Sequence, residues 1–283
     1  MHSKKEILTE LKNHFLQLKE KFKDNKKITI TIADEYVRLD YPNKHKSIFL
    51  DITFKIVTLD IFKITGPGVL INLKGKRALV CGGTSGIGKS TVDSLVENGA
   101  DVVVLSRSAS GDNTISCDLE DLDALRELVT KEIEENGNFH ILVNNSGGPP
   151  SGPIIEAQSH DFEKAFLRHV LASHTLVQLL LEGMKSLNYG RIINVISTSV
   201  KEPIPGLGVS NTIRGAMASW SKTLSKELPP QITINNVLPG FTDTERLTEL
   251  KKTLSKQKGI SQEEVENAWL STVPEGRLAD PSE

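Results

Sequence analysis

From about residue 70 onward, short apolar runs alternate with longer stretches of helical periodicity, and this rhythm limits the fold more than any other feature. The runs cover residues 78–80, 102–105, 141–143, 192–196 and 232–238, and helical patterns fill 88–99, 120–135, 160–186 and 210–227. Strands that read as continuous apolar runs are buried on both faces. The pattern therefore predicts an α/β fold, a parallel sheet covered by helices on each side.

The region before it reads differently. Ile7, Leu8, Leu11, Phe15, Leu18 and Phe22 are spaced for a helix over about 4–24. Alternating patterns at 28–32, 36–41 and 47–57 predict strands, and Gly66-Pro67-Gly68 is a breaker cluster. The expectation is a small α+β extension over 1–68, of unreadable function, and a larger domain over 69–283.

The charge balance of 34 Lys+Arg against 36 Asp+Glu gives a net charge of -2. Without a basic surplus, neither nucleic acid nor an anionic membrane is an expected partner. Cys81 and Cys117 are the only two cysteines, too few for a disulfide scaffold, and no Cys/His spacing resembles a metal site. A reduced, cytoplasmic setting is expected. Acidic residues interrupt the start where a signal peptide needs an apolar stretch, and no apolar run approaches the ~20 residues that span a bilayer.

The first run of the larger domain leads into Cys81-Gly82-Gly83-Thr84-Ser85-Gly86-Ile87-Gly88-Lys89-Ser90. Gly83 to Ser90 fits the phosphate loop of NTPases, G-x-x-x-x-G-K-[ST]. Gly82, Gly86 and Gly88 fit a dinucleotide-binding loop, with Thr84, Ser85 and Ile87 between them. Both rest on the same physics: glycines let the backbone approach a phosphate, and a helix N-terminus stabilises its charge. An NTPase also needs a later strand ending in an acidic residue for magnesium. Here the next strands end in Ser106-Arg107 and Asn144-Asn145, which disfavours that reading.

Further motifs follow in order. Cys117-Asp118-Leu119 ends a third strand, and Asn144-Asn145-Ser146-Gly147 ends a fourth. A strand at 190–196 leads to Ser197, and Pro239-Gly240 is followed by Thr242 and Thr244. On these motifs residues 70–283 resemble the short-chain dehydrogenase/reductase family, the 3-oxoacyl reductases among its members. The resemblance implies a doubly wound parallel sheet of Rossmann type, with a dinucleotide along the strand C-terminal ends. It assigns cofactor contacts to the glycine loop, Asp118 and Leu119, Asn145 to Gly147, Pro239, Gly240, Thr242 and Thr244. Ser106 and Arg107 stand where cofactor choice is often made. A guanidinium and hydroxyls there suit a 2′-phosphate, so NADP is expected over NAD.

The catalytic pattern departs from the family's. Its usual tyrosine and lysine, four residues apart, are replaced by Ser210 and Arg214. No tyrosine follows Tyr189. His169 stands in place of an asparagine of the family's proton relay. The catalytic set therefore reads His169, Ser197, Ser210 and Arg214, with Ser197 placed to hold a substrate carbonyl and Arg214 to grip the cofactor. Arginine stays protonated and cannot relay a proton, so His169 or Lys201 is the candidate source through water.

Near its end the sequence matches a segment that in the family opens a helix leading to a last core strand. That strand is expected to be missing, together with the usual subunit interface. Either the chain is a fragment, the favoured reading, or the N-terminal strands pair with the exposed edge. A homo-oligomer stays possible. The function expected is an NADP-dependent oxidoreductase that reduces a carbonyl or oxidises a secondary alcohol. A catalytically impaired dinucleotide-binding protein is the alternative. The apolar residues of 241–273, read as a flap, point to a hydrophobic small-molecule substrate, although helix packing explains them equally well.

Overall fold

The computed structural model describes residues 29–32, 36–41, 46–51 and 72–283. The chain divides into two compact units, Met1–Asp60 and Ile61–Glu283. In the first, β1 (Thr29–Ile32), β2 (Tyr36–Tyr41) and β3 (Lys46–Asp51) form an antiparallel meander. Ile30 lies opposite Leu39, and Leu39 opposite Ile48. The helix expected over 4–24 and the breaker cluster at 66–68 lie outside the described residues, as do residues 52–57 of the third strand pattern.

The second unit is a six-stranded parallel sheet in the order β6-β5-β4-β7-β8-β9. Its strands are β4 (Arg77–Cys81), β5 (Asp101–Ser106), β6 (Thr114–Ser116), β7 (Ile141–Asn144), β8 (Gly190–Val195) and β9 (Ile232–Val237). Every residue of β4 and β7 is buried, which is why they read as unbroken apolar runs. Leu79, Leu105, Leu142 and Ile192 form one core with Leu125, Leu176 and Leu180 on one face of the sheet. Val80, Val102 and Val143 pack with Ile87 and Val92 on the other.

The helices are α1 (Gly86–Glu97), α2 (Leu122–Asn136), α3 (Ser159–Phe166), α4 (Ala172–Ser186), α5 (Gly208–Leu224), α6 (Glu245–Lys258) and α7 (Gln262–Leu270). The pattern expected at 160–186 is two helices joined by a π turn, Leu167–Leu171. The wider turn shifts the side-chain rotation of everything after it, and such turns recur at functional sites. Local chemistry marks several starts. The Asp121 carboxylate accepts from the Ala124 N–H, and Thr244 Oγ1 accepts from the Leu247 N–H. Ser261 and Glu264 cap α7 reciprocally.

At the C-terminal ends of three neighbouring strands the apolar face gives way to amides. Asn144, Asn194 and Asn236 are register partners on β7, β8 and β9. Asn144 Nδ2 donates to Asn194 Oδ1 (2.8 Å), and Asn194 Nδ2 donates to Asn236 Oδ1 (3.0 Å). Ser221 Oγ from α5 accepts from Asn194 Nδ2 (2.8 Å), and its one hydrogen is shared between Asn236 Oδ1 (2.9 Å) and the Met217 carbonyl (2.7 Å). Among the described residues β9 pairs only with β8, and a parallel bridge joins Thr242 to Ala279.

Asn194→Leu strands the Asn144 amide in the core, and a buried unsatisfied polar group costs about 1–3 kcal/mol. Urea unfolding followed by the fluorescence of Trp220 and Trp269, both in the larger unit, should show a stability loss of at least that size. A midpoint within error of the parent protein would count against the amide row.

Candidate functional site

The site begins where β4 ends. Gly82 and Gly86 adopt left-handed backbone conformations, φ 61° and 52°, which fold the chain sharply into α1. Ser85, the N-cap of α1, makes no side-chain capping bond, so the first-turn N–H groups have no capping hydroxyl among them. Asn145 Nδ2 donates to the carbonyls of Cys81 (3.3 Å) and Gly82 (3.2 Å). A methyl on Gly88 would overlap the Gly82 carbonyl and lie 2.6 Å from the Asn145 amide. Glycine is required at 88 for close packing of helix on strand.

A cleft of about 820 Å³ crosses the C-terminal ends of the strands. It brings together most of the residues singled out from the sequence. Gly82, Thr84, Ser85, Gly86 and Ile87 line one wall. Ser106, Arg107, Asp118 and Leu119 close one end, and Ser197, Ser210 and Arg214 the other. Asn145, Ser146 and Gly147 form the floor between, with Pro239, Gly240 and Thr244 opposite. Four expected residues do not line it: Gly88 lies under the loop, Thr242 is buried, His169 faces a smaller cavity behind Ser146, and Lys201 is exposed outside the lining.

Each end has its own chemistry. At the first, the hydroxyls of Thr84, Ser106 and Ser108 lie within 3.3–3.5 Å of one another. The Arg107 guanidinium stands 3.9 Å from the Asp118 carboxylate with its side chain 70% exposed. So open a pair is weak, and the guanidinium stays available to a ligand. At the other end the Ser199 N–H donates to Ser197 Oγ (3.0 Å), which leaves the serine O–H free to donate. Arg214 Nη1 donates to the Val195 carbonyl (2.7 Å), and burial pushes its guanidinium down to about 10. It is therefore a fixed cation at neutral pH.

His169 shares a 2.7 Å hydrogen bond between its Nδ1 and Ser146 Oγ. Burial, then the positive charges of Arg214 and Arg168, hold its pKa well below the ordinary histidine value. Its proposed use as a proton source is thus opposed by its surroundings, which keep it neutral. Burial pushes the Cys81 thiol up to about 12, so it is an inert part of the core. Lys89 is paired with Asp93 one turn on along the exposed side of α1 (2.6 and 2.8 Å), which weighs against the NTPase reading.

Two residues escaped the sequence reading. Arg246 of α6 donates to the Pro149 carbonyl (2.7 Å) across the rim of the cleft. Arg168, on the π turn, lines the cleft and pairs with Glu120. No sequence signal marks the turn; Arg246 follows Thr244 closely but carries no motif of its own. The expected flap is the α6–α7 pair. Leu254 and Val265 are buried, and Phe241 stacks on Trp269 with ring centroids 5.1 Å apart. Of the apolar residues of 241–273, Leu250 alone lines the cleft.

A model of the short chain dehydrogenase family matches residues 76–255. The chain belongs to the short-chain dehydrogenase/reductase family. A 3-oxoacyl-acyl-carrier-protein reductase of Vibrio cholerae is 30% identical over 230 residues, covering 75% of this chain and 88% of that one. A 2,3-dihydroxy-2,3-dihydro-p-cumate dehydrogenase of Pseudomonas putida is 26% identical over 227 residues, covering 75% and 85%. Among solved structures, an L-sorbose reductase from Gluconobacter frateurii, complexed with NADPH and L-sorbose, matches with a TM-score of 0.67 and 25% identity. It covers 75% of this chain and 87% of that one. This family member is an oxidoreductase with an NAD(P)-binding Rossmann-type fold. Among the described residues no helix is long and apolar enough to cross a membrane, and no His/Cys/Asp/Glu group could hold a metal.

The buried neutral histidine has a consequence for stability. Its folded pKa lies below the unfolded value near 6.5, so the unfolded state takes up a proton first as pH falls. The unfolding free energy should drop below pH 6.5 by at most about 1.4 kcal/mol per pH unit from this group. His140, lowered by partial burial and by Lys76, adds a second contribution. Urea titrations at pH 7.5 and 5.5 should show a smaller pH-dependent loss in His169→Gln than in the parent. An identical loss in both would place the effect elsewhere.

Proposed function

We propose that this protein is an NADP-dependent oxidoreductase that reduces a ketone, or oxidises the matching secondary alcohol, on a small organic substrate, in the manner of the 3-oxoacyl reductases. The observation that carries this reading is the single cleft joining the glycine loop, the Ser106–Arg107–Ser108 hydroxyl-and-guanidinium cluster and Ser197. The glycine corner fits a dinucleotide because its strand, loop and helix pack with room for nothing larger than hydrogen at Gly88. Arg107 and the three hydroxyls favour a 2′-phosphate over bare ribose hydroxyls. The NADPH in the L-sorbose reductase structure supports the same preference.

The bound nicotinamide would supply or accept the hydride. The protein's own residues hold the rest. Ser197, its oxygen already accepting from the Ser199 N–H, donates to the substrate oxygen. Ser210 and Arg214 line the same cleft, and the Arg214 cation favours the negative charge that develops on that oxygen. No side chain of the set is a sufficient acid near neutral pH, and Arg214 does not give up its proton, so the alkoxide takes its proton from solvent water in the cleft and the hydroxide left behind is neutralised by bulk buffer.

A second reading, dinucleotide binding without turnover, is favoured by the replacement of tyrosine and lysine by Ser210 and Arg214. Two measurements separate the readings. By calorimetry NADPH should bind more tightly than NADH, and Arg107→Ala should reduce NADPH affinity about tenfold, as losing a charge-assisted contact does. In a panel of ketones with NADPH, Ser197→Ala should lower kcat about 10²–10³-fold and leave NADPH affinity unchanged. NADPH binding without turnover of any ketone would establish the second reading, and equal affinity for both cofactors would overturn the preference.

A further inference from the structure

Behind the cleft floor lies a small cavity of about 10 Å³, walled by Asn144, Ser146, His169, Ser173, Arg214 and neighbouring apolar groups. That is about the space one water needs, and a stable water also needs two or more polar partners. Two are waiting. His169 Nε2 and Asn144 Oδ1 are both buried, and neither has a hydrogen-bond partner among the described residues. Asn144 Nδ2 donates to Asn194 Oδ1, which leaves Oδ1 at the cavity without a donor among the described residues.

We propose that this cavity is a binding site for a single water that bridges His169 Nε2 to Asn144 Oδ1, and that the water makes His169 a positioning residue for Ser146. The water donates one hydrogen to Asn144 Oδ1. Toward Nε2 it offers either its other hydrogen or a lone pair, so it satisfies the imidazole in either neutral tautomer. With it in place an unbroken chain runs from Ser146 through His169, the water, Asn144 and Asn194 to Asn236 and Ser221. The chain ends on the Met217 carbonyl, inside the protein. A chain that stops on a carbonyl and passes through amides, which neither gain nor lose protons at neutral pH, is a brace for the cleft floor, not a proton path to solvent.

The charges around His169 agree. Arg168 on its own turn and Arg214 on α5 face it as cations, Glu120 is engaged by Arg168, and the Cys81 thiol stays protonated. Among the described residues no anion faces the imidazole, and the Gly147 backbone is the one group there that favours an imidazolium. The inference stands on the cavity and its orphaned atoms, and it holds whatever substrate the cleft takes.

An atomic-resolution crystal structure of the full chain should show one ordered water within hydrogen-bonding distance of both atoms. Histidine ¹⁵N NMR of the full chain, with His169 assigned by the signal lost in His169→Gln, should show an imidazole still neutral at the pH where an ordinary histidine is half protonated, near 6.5. His169→Phe should weaken NADPH binding about five- to tenfold, roughly one net hydrogen bond's worth, with rescue by His169→Gln. A cavity without density, or an imidazolium signal at about pH 6.5, would overturn the proposal. Because the first two readouts involve no cofactor, failure of NADPH to bind would count against the proposed function and leave this inference standing.

Discussion

The side-chain amide of Asn145 holds the end of β4 by two hydrogen bonds, to the carbonyls of Cys81 and Gly82. The rest of the larger unit is arranged around that tie. β4 lies between β5 and β7, where the strand order reverses, so chain connections leave on opposite faces of the sheet and a crevice opens above. Asn145 stitches the two central strands together at the crevice floor. Gly88 then lets α1 sit against the same corner, which aims the helix N-terminus into the cleft. A bulkier residue at Gly82 or Gly88 would push on the amide that holds the corner closed. Sheet, helix and cleft thus share one contact.

How far the sequence discloses this arrangement depends on the range of the interactions involved. The order of strands and helices is legible because burial on both faces writes itself as continuous apolar runs. The ends of elements are less so. The pattern places the first helix at 88–99, whereas α1 begins at Gly86, because glycines read as loop although two of them lie in its first turn. Most motif-bearing residues gather along one cleft because they lie at or just after a strand's C-terminal end, while Ser210 and Arg214 reach it from α5. The π turn leaves no trace, since one extra residue in a turn hardly alters the spacing of apolar side chains. It nonetheless decides that His169 meets Ser146 and not solvent. The amide row is hidden for another reason. Asn144, Asn194 and Asn236 are far apart in sequence, and only the register of three strands brings them into line.

The same distinction sorts the four residues read as a catalytic set. Ser197, Ser210 and Arg214 share the cleft, while His169 turns inward. A histidine beside a serine at 2.7 Å resembles an acid–base pair if only the distance is considered. Its surroundings reverse that impression, because near-complete burial and then two arginines oppose the charged form. Distance alone does not assign a chemical role; the charges facing the group do.

In the proposed reaction, the loss of the usual tyrosine alters the source of the proton more than the stability of the charge. Hydride addition to a carbonyl puts negative charge on oxygen before any proton arrives, and whatever lowers the energy of that charge lowers the barrier. Arg214 is buried enough to be little screened by solvent and remains protonated at neutral pH, even with its pKa pushed down to about 10. Its hydrogen bond to the Val195 carbonyl fixes its position, so the cation is oriented before a substrate enters. A site of this kind keeps its electrostatic contribution constant across the physiological range, where a tyrosine acid would have to be tuned into it. The proton can then come late, from water, onto an oxygen already held by Ser197.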